Sequence, residues 1–223
     1  MAPPDSAPSE GESGKQQALA GLRRAILAGD MAPGQRLVES ELAETLDVTR
    51  ASVRAALIDL TSEGLVERIR NRGARVRIVS LSEAVAITEC RMVLEGLCAA
   101  KAAENATDAQ RDQLREIGER LRQAVTDGEP LKYSASNQEL HRLIRDISGQ
   151  TVAADLLERL HGQIVRHQFR LSLRPGRPQV SLPEHLAIVN AIVNRDPAAA
   201  EAAARAHLGS VIDALRAAET DPL

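Results

Sequence analysis

Two short amphipathic stretches followed by an arginine-rich alternating segment, all between Pro33 and Val79, constrain the fold of this chain more than any other feature. In each stretch the apolar residues recur at the spacing of one helical face. These positions are Leu42, Ala43 and Leu46 in the first stretch and Val53, Leu57 and Leu60 in the second. The pattern therefore predicts two adjacent short helices that pack on a common core.

Residues with capping or turn propensity mark the ends of both helices. Ser40 is the candidate N-cap of the first helix and Thr49 that of the second, because a hydroxyl can accept a free backbone N–H of the first turn. Asp47-Val48 forms the expected tight turn between the two helices. Gly64 is the expected C′ residue that follows the second helix.

A basic hairpin is predicted directly after the second helix. Residues 65–69 and 74–79 alternate in polarity and predict two short strands, with Asn71-Arg72-Gly73 as the turn between them. Five arginines and no acidic residue lie between positions 68 and 77. This order of elements is typical of a winged helix-turn-helix, here with three helices and a two-stranded wing.

The N-terminal turns of the second helix are the candidate DNA-reading surface, because this end of a recognition helix faces base edges and phosphates. Arginine can bind guanine bidentately and also pairs with phosphate. A helix-turn-helix pattern alone also occurs in hairpins that bind no DNA, and an arginine-rich strand can be a solvated face. The two together favour duplex DNA. The candidate contacts are Ser40, Thr49, Arg50, Ala51, Ser52, Arg54, Arg72 and Gly73.

Residues 16 to 79 resemble the DNA-binding domain of the GntR family of bacterial transcription regulators. The resemblance rests on Ile26, Gly29, Pro33-Gly34, Leu37, Glu39, Leu42-Ala43, Val48-Thr49-Arg50, Val53-Arg54-Ala55-Ala56-Leu57, Gly64-Leu65, Arg72-Gly73 and Val76. It implies that Thr49, Arg50 and Arg54 contact the major groove or its phosphates. It also implies that Gly73 lets the wing tip enter the minor groove. Ala51-Ser52 departs from the Thr-Pro or Thr-Thr of many members, which is expected to affect base preference rather than fold.

Charge is distributed unevenly along the chain. The net charge is −3, and residues 15–79 carry 11 basic and 8 acidic residues, a net of +3, which leaves about −6 for the remainder. A basic charge confined to one part suits a specific DNA binder and not a non-specific nucleic-acid coat. Tyr133 and Phe169 are the only aromatic residues, so stacking on single-stranded bases is not expected.

The remaining composition favours a cytoplasmic protein. Cys90 and Cys98 lie eight residues apart in one predicted helix, about 12 Å along its axis and too far for a disulfide, so they are interpreted as buried thiols in a reducing compartment. No apolar run approaches the length of a membrane span, and no signal peptide is recognised. Residues 1–14 are rich in Pro, Ser, Gly and Glu and are predicted to be disordered.

After Val79 the pattern is helical throughout. Thr107 is expected to cap the second helix of this part, and Pro197, after Asp196, suits the first turn of the last. Six helices are predicted, at residues 82–105, 107–127, 131–148, 150–173, 181–195 and 197–218. The expected fold class is therefore mainly α: a winged helix-turn-helix at 15–79, a short linker at 80–81, an all-α six-helix effector bundle at 82–218 and a tail at 219–223.

All five histidines lie after Leu140, and three of them suggest a metal site. Asn137 and His141 are spaced i,i+4, so both project from one face of the third bundle helix. With His185 and His207 they could supply three imidazoles and one oxygen from three helices to a divalent cation. Spacing alone is weak evidence, because lone helical histidines are more often surface or capping residues. The other two, His161 and His167, are interpreted as structural or surface residues.

The helical part is similar to the FCD effector domain of the FadR subfamily of GntR regulators, and its six predicted helices resemble the VanR-like branch. The matching motifs are Asn137-Gln138-Glu139-Leu140-His141, Ser148-Gly149-Gln150, Glu184-His185-Leu186-Ala187-Ile188, Ala191-Ile192, Asp196 and His207. The resemblance implies a metal bound by Asn137, His141, His185 and His207, with zinc or nickel favoured by the imidazole-rich set. Asn137 stands where aspartate is more frequent, and Leu140 where phenylalanine is common.

The same resemblance implies a small carboxylate effector, such as an organic acid or a sugar acid. A carboxylate can take an open metal position while an arginine pairs with its charge. Arg91 is the first candidate for that contact, although Glu95 four residues later also fits an intrahelical ion pair. Arg142 and Arg166 are weaker candidates.

These expectations combine into a ligand-controlled transcription regulator, expected to be a repressor. A homodimer would place two recognition helices on a palindromic operator. Two alternatives remain at this point: a regulator for which the metal ion itself is the signal, and a metal-dependent enzyme. The enzyme alternative is disfavoured, because no acid or base lies at a telling spacing beside the histidines and an enzyme would not need the wing.

Overall fold

A computed structural model describes residues 10–70, 72–172 and 174–220. The chain divides between Val79 and Ser80 into two compact units, each with its own hydrophobic core.

The first unit is a winged helix-turn-helix. Its elements are α1 (Glu10–Ala28), β1 (Arg36–Leu37), α2 (Glu39–Leu46), α3 (Arg50–Ser62), β2 (Val66–Ile69) and β3 (Gly73–Val76). The three helices and the sheet enclose apolar residues that include Leu22, Val53, Leu60 and Val66. The predicted helix pair and basic hairpin are therefore confirmed.

Three details of this unit differ from the sequence prediction. The wing has a third strand, because β1 pairs antiparallel with β3 and gives the order β1-β3-β2. Ser40 is not an N-cap: α2 starts at Glu39, and Val38 occupies the cap position without a side-chain hydrogen bond. Helix α1 starts at Glu10, so the disorder predicted for residues 1–14 is wrong over 10–14; residues 1–9 lie outside the described part.

The ends of the recognition helix α3 agree with the prediction. Thr49 is its N-cap, with Oγ1 accepting the backbone N–H of Ser52 at 3.1 Å. The turn before it is tight because Asp47 takes the left-handed conformation (φ 51°). Gly64, at φ 74°, ends the helix in a conformation that glycine adopts without strain.

The second unit contains six helices within the described residues, as predicted. They are α4 (Leu81–Asn105), α5 (Asp108–Thr126), α6 (Pro130–Ser148), α7 (Thr151–Ser172), α8 (Arg177–Val193) and α9 (Pro197–Thr220). Thr107 caps α5 through a capping box with Gln110, and Asp196 Oδ1 accepts the N–H of Ala199 at the start of α9. Both helix starts were predicted.

Two boundaries in the second unit were predicted wrongly. Ser80-Leu81 is not a linker, because the Ser80 hydroxyl caps α4 and Leu81 is its first residue. Helix α8 begins at Arg177 and not at residue 181, since Gly176 takes a left-handed conformation and Pro178 fits the first turn. The turn at 175–176 is therefore shorter than the proline and glycine content suggested.

Helices α4 and α9 pack closely along the centre of the bundle. Small residues permit this approach, as at Gly96, where a Cβ atom would lie 3.1 Å from Arg205 Cγ. Larger aliphatic residues of α5, α6 and α8 complete the core, among them Leu114, Leu140 and Ile192. No helix in the described residues is long and apolar enough to cross a membrane.

The cysteine prediction was half right. Both are free thiols, and Cys98 is buried, but Cys90 is exposed on the outer side of α4. Eight helical positions bring two residues to faces separated by about 80°, so burial of one does not require burial of the other.

Candidate DNA-binding surface and metal centre

The N-terminal turn of α3 presents most of its predicted DNA contacts to solvent. Thr49, Arg50, Ala51 and Arg54 are exposed. Ser52 is not: it is 5% exposed, and a Cβ atom on Gly14 of α1 would lie 2.9 Å from its Oγ. The prediction that Ser52 faces DNA is therefore wrong, because α1 covers it.

Arg54 is held by an acidic residue of the preceding helix. Its Nη2 donates to Glu39 Oε2 at 2.6 Å, and its Nε donates to both Glu39 oxygens at 3.0 and 3.1 Å. This hydrogen bonding lowers the pKa of the Glu39 carboxyl, so the pair is ionised at neutral pH. Glu39 thus orients Arg54, a role that its position fifteen residues earlier did not reveal.

The other predicted contacts lie on the wing and on α2. Arg72 and Gly73 are exposed at the hairpin tip, where Gly73 has φ 84° and a Cβ atom would meet nothing within 4 Å. The positive φ, not crowding, therefore favours glycine at the tip. Ser40 is half-buried on α2. A basic hairpin tip and the start of α3 form one candidate DNA-binding surface in the first unit.

Three helices of the second unit bring His141, His185 and His207 together. One ring nitrogen of each lies within 4.8 Å of the others, and the ring centroids are 4.3 to 5.5 Å apart. His185 and His207 are buried at 1% and 5% exposure, and His141 is half-buried. The cluster is thus the one predicted from the sequence, assembled from α6, α8 and α9.

The rings are kept in the form that binds a cation. Burial, followed by the nearby His207 and His141, holds the pKa of His185 well below its ordinary value. Burial also lowers the pKa of His207, despite the opposing hydrogen bond with Glu184. Both rings are therefore neutral at physiological pH, as metal ligation requires.

Two buried acceptors on α6 and α8 have no hydrogen-bond partner within the described part of the chain: Asn137 Oδ1 and His185 Nε2. A buried polar atom without a partner costs free energy that a bound cation would recover. Both atoms belong to residues predicted as ligands, so the donor set fits a divalent metal.

The three predicted effector-binding arginines occupy different environments. Arg91 is buried and forms the intrahelical pair with Glu95, with Nη2 at 2.5 Å from Oε1. Arg166 is half-buried on α7. Arg142 is exposed, so the structure does not bring it into the buried site, because the residue after His141 on a helix points about 100° away. Arg145, one turn on, lines a cleft beside His141 and Glu95 instead.

Sequence reasoning missed the residues that surround the histidines. Tyr133, Glu95 and Glu184 each approach one imidazole, at 2.8, 3.0 and 2.8 Å from its Nδ1. One of them left a readable signal: Tyr133 precedes the predicted ligand Asn137 by four, so these two residues lie on one face of α6.

A winged helix-turn-helix joined to a separate all-helical domain with a buried ligand cluster defines a transcription regulator. Residues 15–76 match the family described as bacterial regulatory proteins, gntR family, and residues 86–210 match the FCD domain. The chain belongs to the GntR family and carries an FCD domain, as the sequence motifs predicted.

Named relatives are repressors of transcription. The chain is 29% identical over 201 residues to the HTH-type transcriptional repressor RspR of Escherichia coli K12, covering 90% of this chain and 88% of that protein. It is 31% identical over 219 residues to the HTH-type transcriptional repressor NanR of Citrobacter rodentium, covering 85% and 80%. These relatives are regulators and not enzymes, so the enzyme alternative is set aside.

A solved structure shows the same fold. The structure of E. coli McbR/YncC superposes with a TM-score of 0.75 at 22% identity, covering 92% of this chain and 98% of that one. At this identity the likeness supports the architecture alone.

Proposed function

We propose that this regulator is a homodimeric repressor whose affinity for a palindromic operator is controlled by a small carboxylate bound at a divalent metal. Repression is inferred from the relatives RspR and NanR, which are named repressors. Homodimerisation follows from the pairing of recognition helices on a two-fold operator. The metal is the part that the site itself supports best.

The observation that carries the metal proposal is the coincidence of a convergent histidine cluster with two unpartnered buried acceptors. His141, His185 and His207 would supply imidazole nitrogens, and Asn137 would supply a neutral oxygen. Three imidazoles and one oxygen suit zinc or nickel better than calcium or magnesium, which prefer oxygen ligands. A neutral amide attracts the cation less than aspartate would.

A metal held in this way offers an open position to a carboxylate oxygen. The residues nearby supply positive charge for the rest of such a ligand: Arg91 is buried with its Nε unpartnered, and Arg145 lines the adjacent cleft. A charge-assisted hydrogen bond from a buried guanidinium is stronger than one exposed to water. The site therefore favours a small organic acid or sugar acid as effector.

The DNA-binding half of the proposal is tested by gel-shift titration of the purified protein with its operator. Arg50→Ala and Arg54→Ala should weaken specific binding, because both side chains are exposed at the start of α3. Arg159→Ala, an exposed arginine on α7, is the matched control and should bind like the parent. Unchanged affinity in both α3 variants would refute the recognition-helix assignment.

The metal half is tested by elemental analysis of protein purified without chelator. The parent should contain near-stoichiometric metal, and His141→Ala and His185→Ala should lose it. His167→Ala, on α7 outside the cluster, is the matched control and should retain it. Equal metal content in all four proteins would contradict the assigned ligands.

An alternative is that the metal ion is itself the signal. The observation in its favour is that the three histidines alone bring ring nitrogens within 4.8 Å of one another, as a site for a cation requires. Titration of metal against operator binding, with no organic acid added, separates the two proposals. A change in operator affinity with metal alone supports the metal-responsive regulator, whereas a change only after an acid is added supports the carboxylate effector.

A further inference from the structure

Each of the three clustered imidazoles is held at Nδ1 by a different helix. Glu95 of α4 lies 3.0 Å from His141 of α6, Tyr133 of α6 lies 2.8 Å from His185 of α8, and Glu184 of α8 lies 2.8 Å from His207 of α9. The three supporting side chains therefore link α4 to α6, α6 to α8 and α8 to α9. None of the three supporting residues is a predicted metal ligand.

Two of these supports determine which ring nitrogen carries the proton. An ionised carboxylate can only accept hydrogen bonds, so a neutral imidazole beside it must place its N–H at Nδ1. The Arg91 guanidinium, which forms a buried ion pair with Glu95, keeps that carboxylate ionised. Arg177 lies beside Glu184 in the same way and keeps its carboxylate ionised. His141 and His207 are therefore left with Nε2 as a free lone pair.

The third support is chemically different, because a phenol can either donate or accept. Tyr133 is buried, and its neutral phenol oxygen lies 2.8 Å from His185 Nδ1. His185 Nε2 has no partner among the described residues. A neutral ring here avoids a buried unpaired N–H only when Nδ1 carries the proton and donates to Tyr133. Tyr133 thus permits the same tautomer that the two glutamates impose.

The glutamates are themselves fixed from outside the cluster. Arg91 pairs with Glu95 at 2.5 Å, and Arg177 approaches Glu184 at 3.6 Å while donating to Ser210 on α9 at 3.0 Å. The guanidinium charges keep both carboxylates ionised and oriented. Outer partners of this kind set ligand orientation at metal sites and often matter nearly as much as the ligands.

We infer that Glu95, Tyr133 and Glu184 are positioning residues that hold His141, His185 and His207 as Nδ1-protonated tautomers, so that three Nε2 lone pairs face a common centre before any cation arrives. The inference rests on the proposed metal site, since it assigns the atoms through which that site would bind. It adds that the site is preorganised in the metal-free protein.

The tautomers can be measured without metal. Full-length protein labelled with ¹⁵N at histidine, stripped of metal and held at mildly alkaline pH, should show Nδ1–H and an unprotonated Nε2 for the three clustered rings. Assignment by single His→Gln variants identifies each signal. Nε2-protonated rings at His141 or His207 would overturn the inference, whether or not the protein binds metal.

Metal affinity gives an independent readout. In chelator competition, Tyr133→Phe, Glu95→Gln and Glu184→Gln should each weaken metal binding by about 10- to 100-fold. Glu139→Gln is the matched control, because Glu139 lies on α6 two residues from His141 but pairs with Arg120 on the surface. Cobalt-loaded Tyr133→Phe should also show a shifted ligand-field spectrum, which a purely structural defect would not produce.

The outcomes separate this inference from the proposed function. If the parent binds no metal, the proposed metal site fails, and the ¹⁵N spectra still decide the tautomers. If the parent binds metal but the three variants match Glu139→Gln in affinity and spectrum, the positioning roles are wrong while the metal site stands. Tyr133→Phe removes a single oxygen, so it remains informative should either glutamine variant fail to fold.

Discussion

The DNA-binding surface and the histidine cluster differ in their exposure to solvent and in how many parts of the chain contribute to them. The first uses exposed side chains from one continuous stretch of sequence, with water available to every polar group. The second gathers side chains from four helices into a buried volume, where each polar atom needs a specific partner. The same chemical pair shows the difference: Arg54 and Glu39 are paired at the surface, whereas Arg91 and Glu95 are buried with 8% and 7% of their side chains exposed.

The largest expected effect comes from breaking the buried pair. Glu95→Ala leaves Arg91 buried without its counter-charge, which should cost about 3–5 kcal/mol of unfolding free energy. Urea denaturation of metal-free protein measures this loss. Glu139→Ala, which breaks an exposed pair with Arg120, is the control and should unfold at the parental urea concentration. Similar midpoints for both variants would show that the burial of the Arg91 pair has no energetic consequence.

The second effect is a dependence of stability on pH that comes from histidines of the helical unit. Burial, with Arg91 beside it, lowers the pKa of His161 from 6.5 to about 4, so the folded ring stays neutral where the unfolded ring gains a proton. Stability should therefore fall as pH drops from 6.5 towards 4, by roughly 1 kcal/mol per pH unit for this group.

His161→Gln should reduce the slope of this fall, measured by urea denaturation of metal-free protein at a series of pH values. The buried His185 and His207 act in the same direction and will leave a residual slope. His167→Gln is the matched control on the same helix. An identical slope in His161→Gln and the parent would contradict the assigned pKa.

A smaller loss is expected at the start of the recognition helix. Thr49→Ala removes the hydroxyl that accepts the Ser52 N–H, which should cost about 1 kcal/mol of stability. Thr49→Ser keeps the cap and should unfold like the parent. Operator binding sharpens the comparison, because a pure capping role predicts similar affinity for the serine variant and weaker affinity for alanine. Equal stability of all three proteins would exclude the cap as a contributor.

The smallest change in stability belongs to the surface pair. Glu39→Gln should leave the unfolding midpoint unchanged, since exposed ion pairs contribute little. It should alter operator binding, because Arg54 loses the carboxylate that orients it. Gel shifts with the operator and with unrelated DNA report the ratio of specific to non-specific affinity. An unchanged ratio would mean that Glu39 does not influence how Arg54 reads DNA.

The same contrast explains how far the sequence could be interpreted. In the first unit the caps, the turn and the hairpin are encoded by neighbouring residues, so Thr49, Gly64 and the wing were predicted correctly. The prediction for Ser52 was wrong because its burial depends on a contact with α1, more than thirty residues earlier. Helical periodicity carries no information about that contact. The prediction for Ser40 was wrong for a local reason, because α2 already begins at Glu39 and Val38 occupies the cap position without a side-chain hydrogen bond.

In the second unit the histidines were predicted from motif resemblance, and their convergence is confirmed by the structure. A supporting residue could be predicted only where it shares a helix face with a predicted ligand, as Tyr133 does with Asn137. The contacts of Glu95 with His141 and of Glu184 with His207 join different helices, and the sequence distances between them follow no period. Arg142 was misplaced because one helical step turns a side chain by about 100°, and Cys90 because eight steps from the buried Cys98 leave it about 80° away.

The contacts that link α4 to α6, α6 to α8 and α8 to α9 also make the cluster depend on the packing of the last of these helices. His207 lies on α9, and Glu184, which accepts its hydrogen bond, lies 23 residues earlier on α8. Without α9 in place, α6 and α8 would present two imidazoles, and Glu184 would lack the ring that it holds. The complete cluster therefore exists only when α9 is packed against the other helices of the bundle.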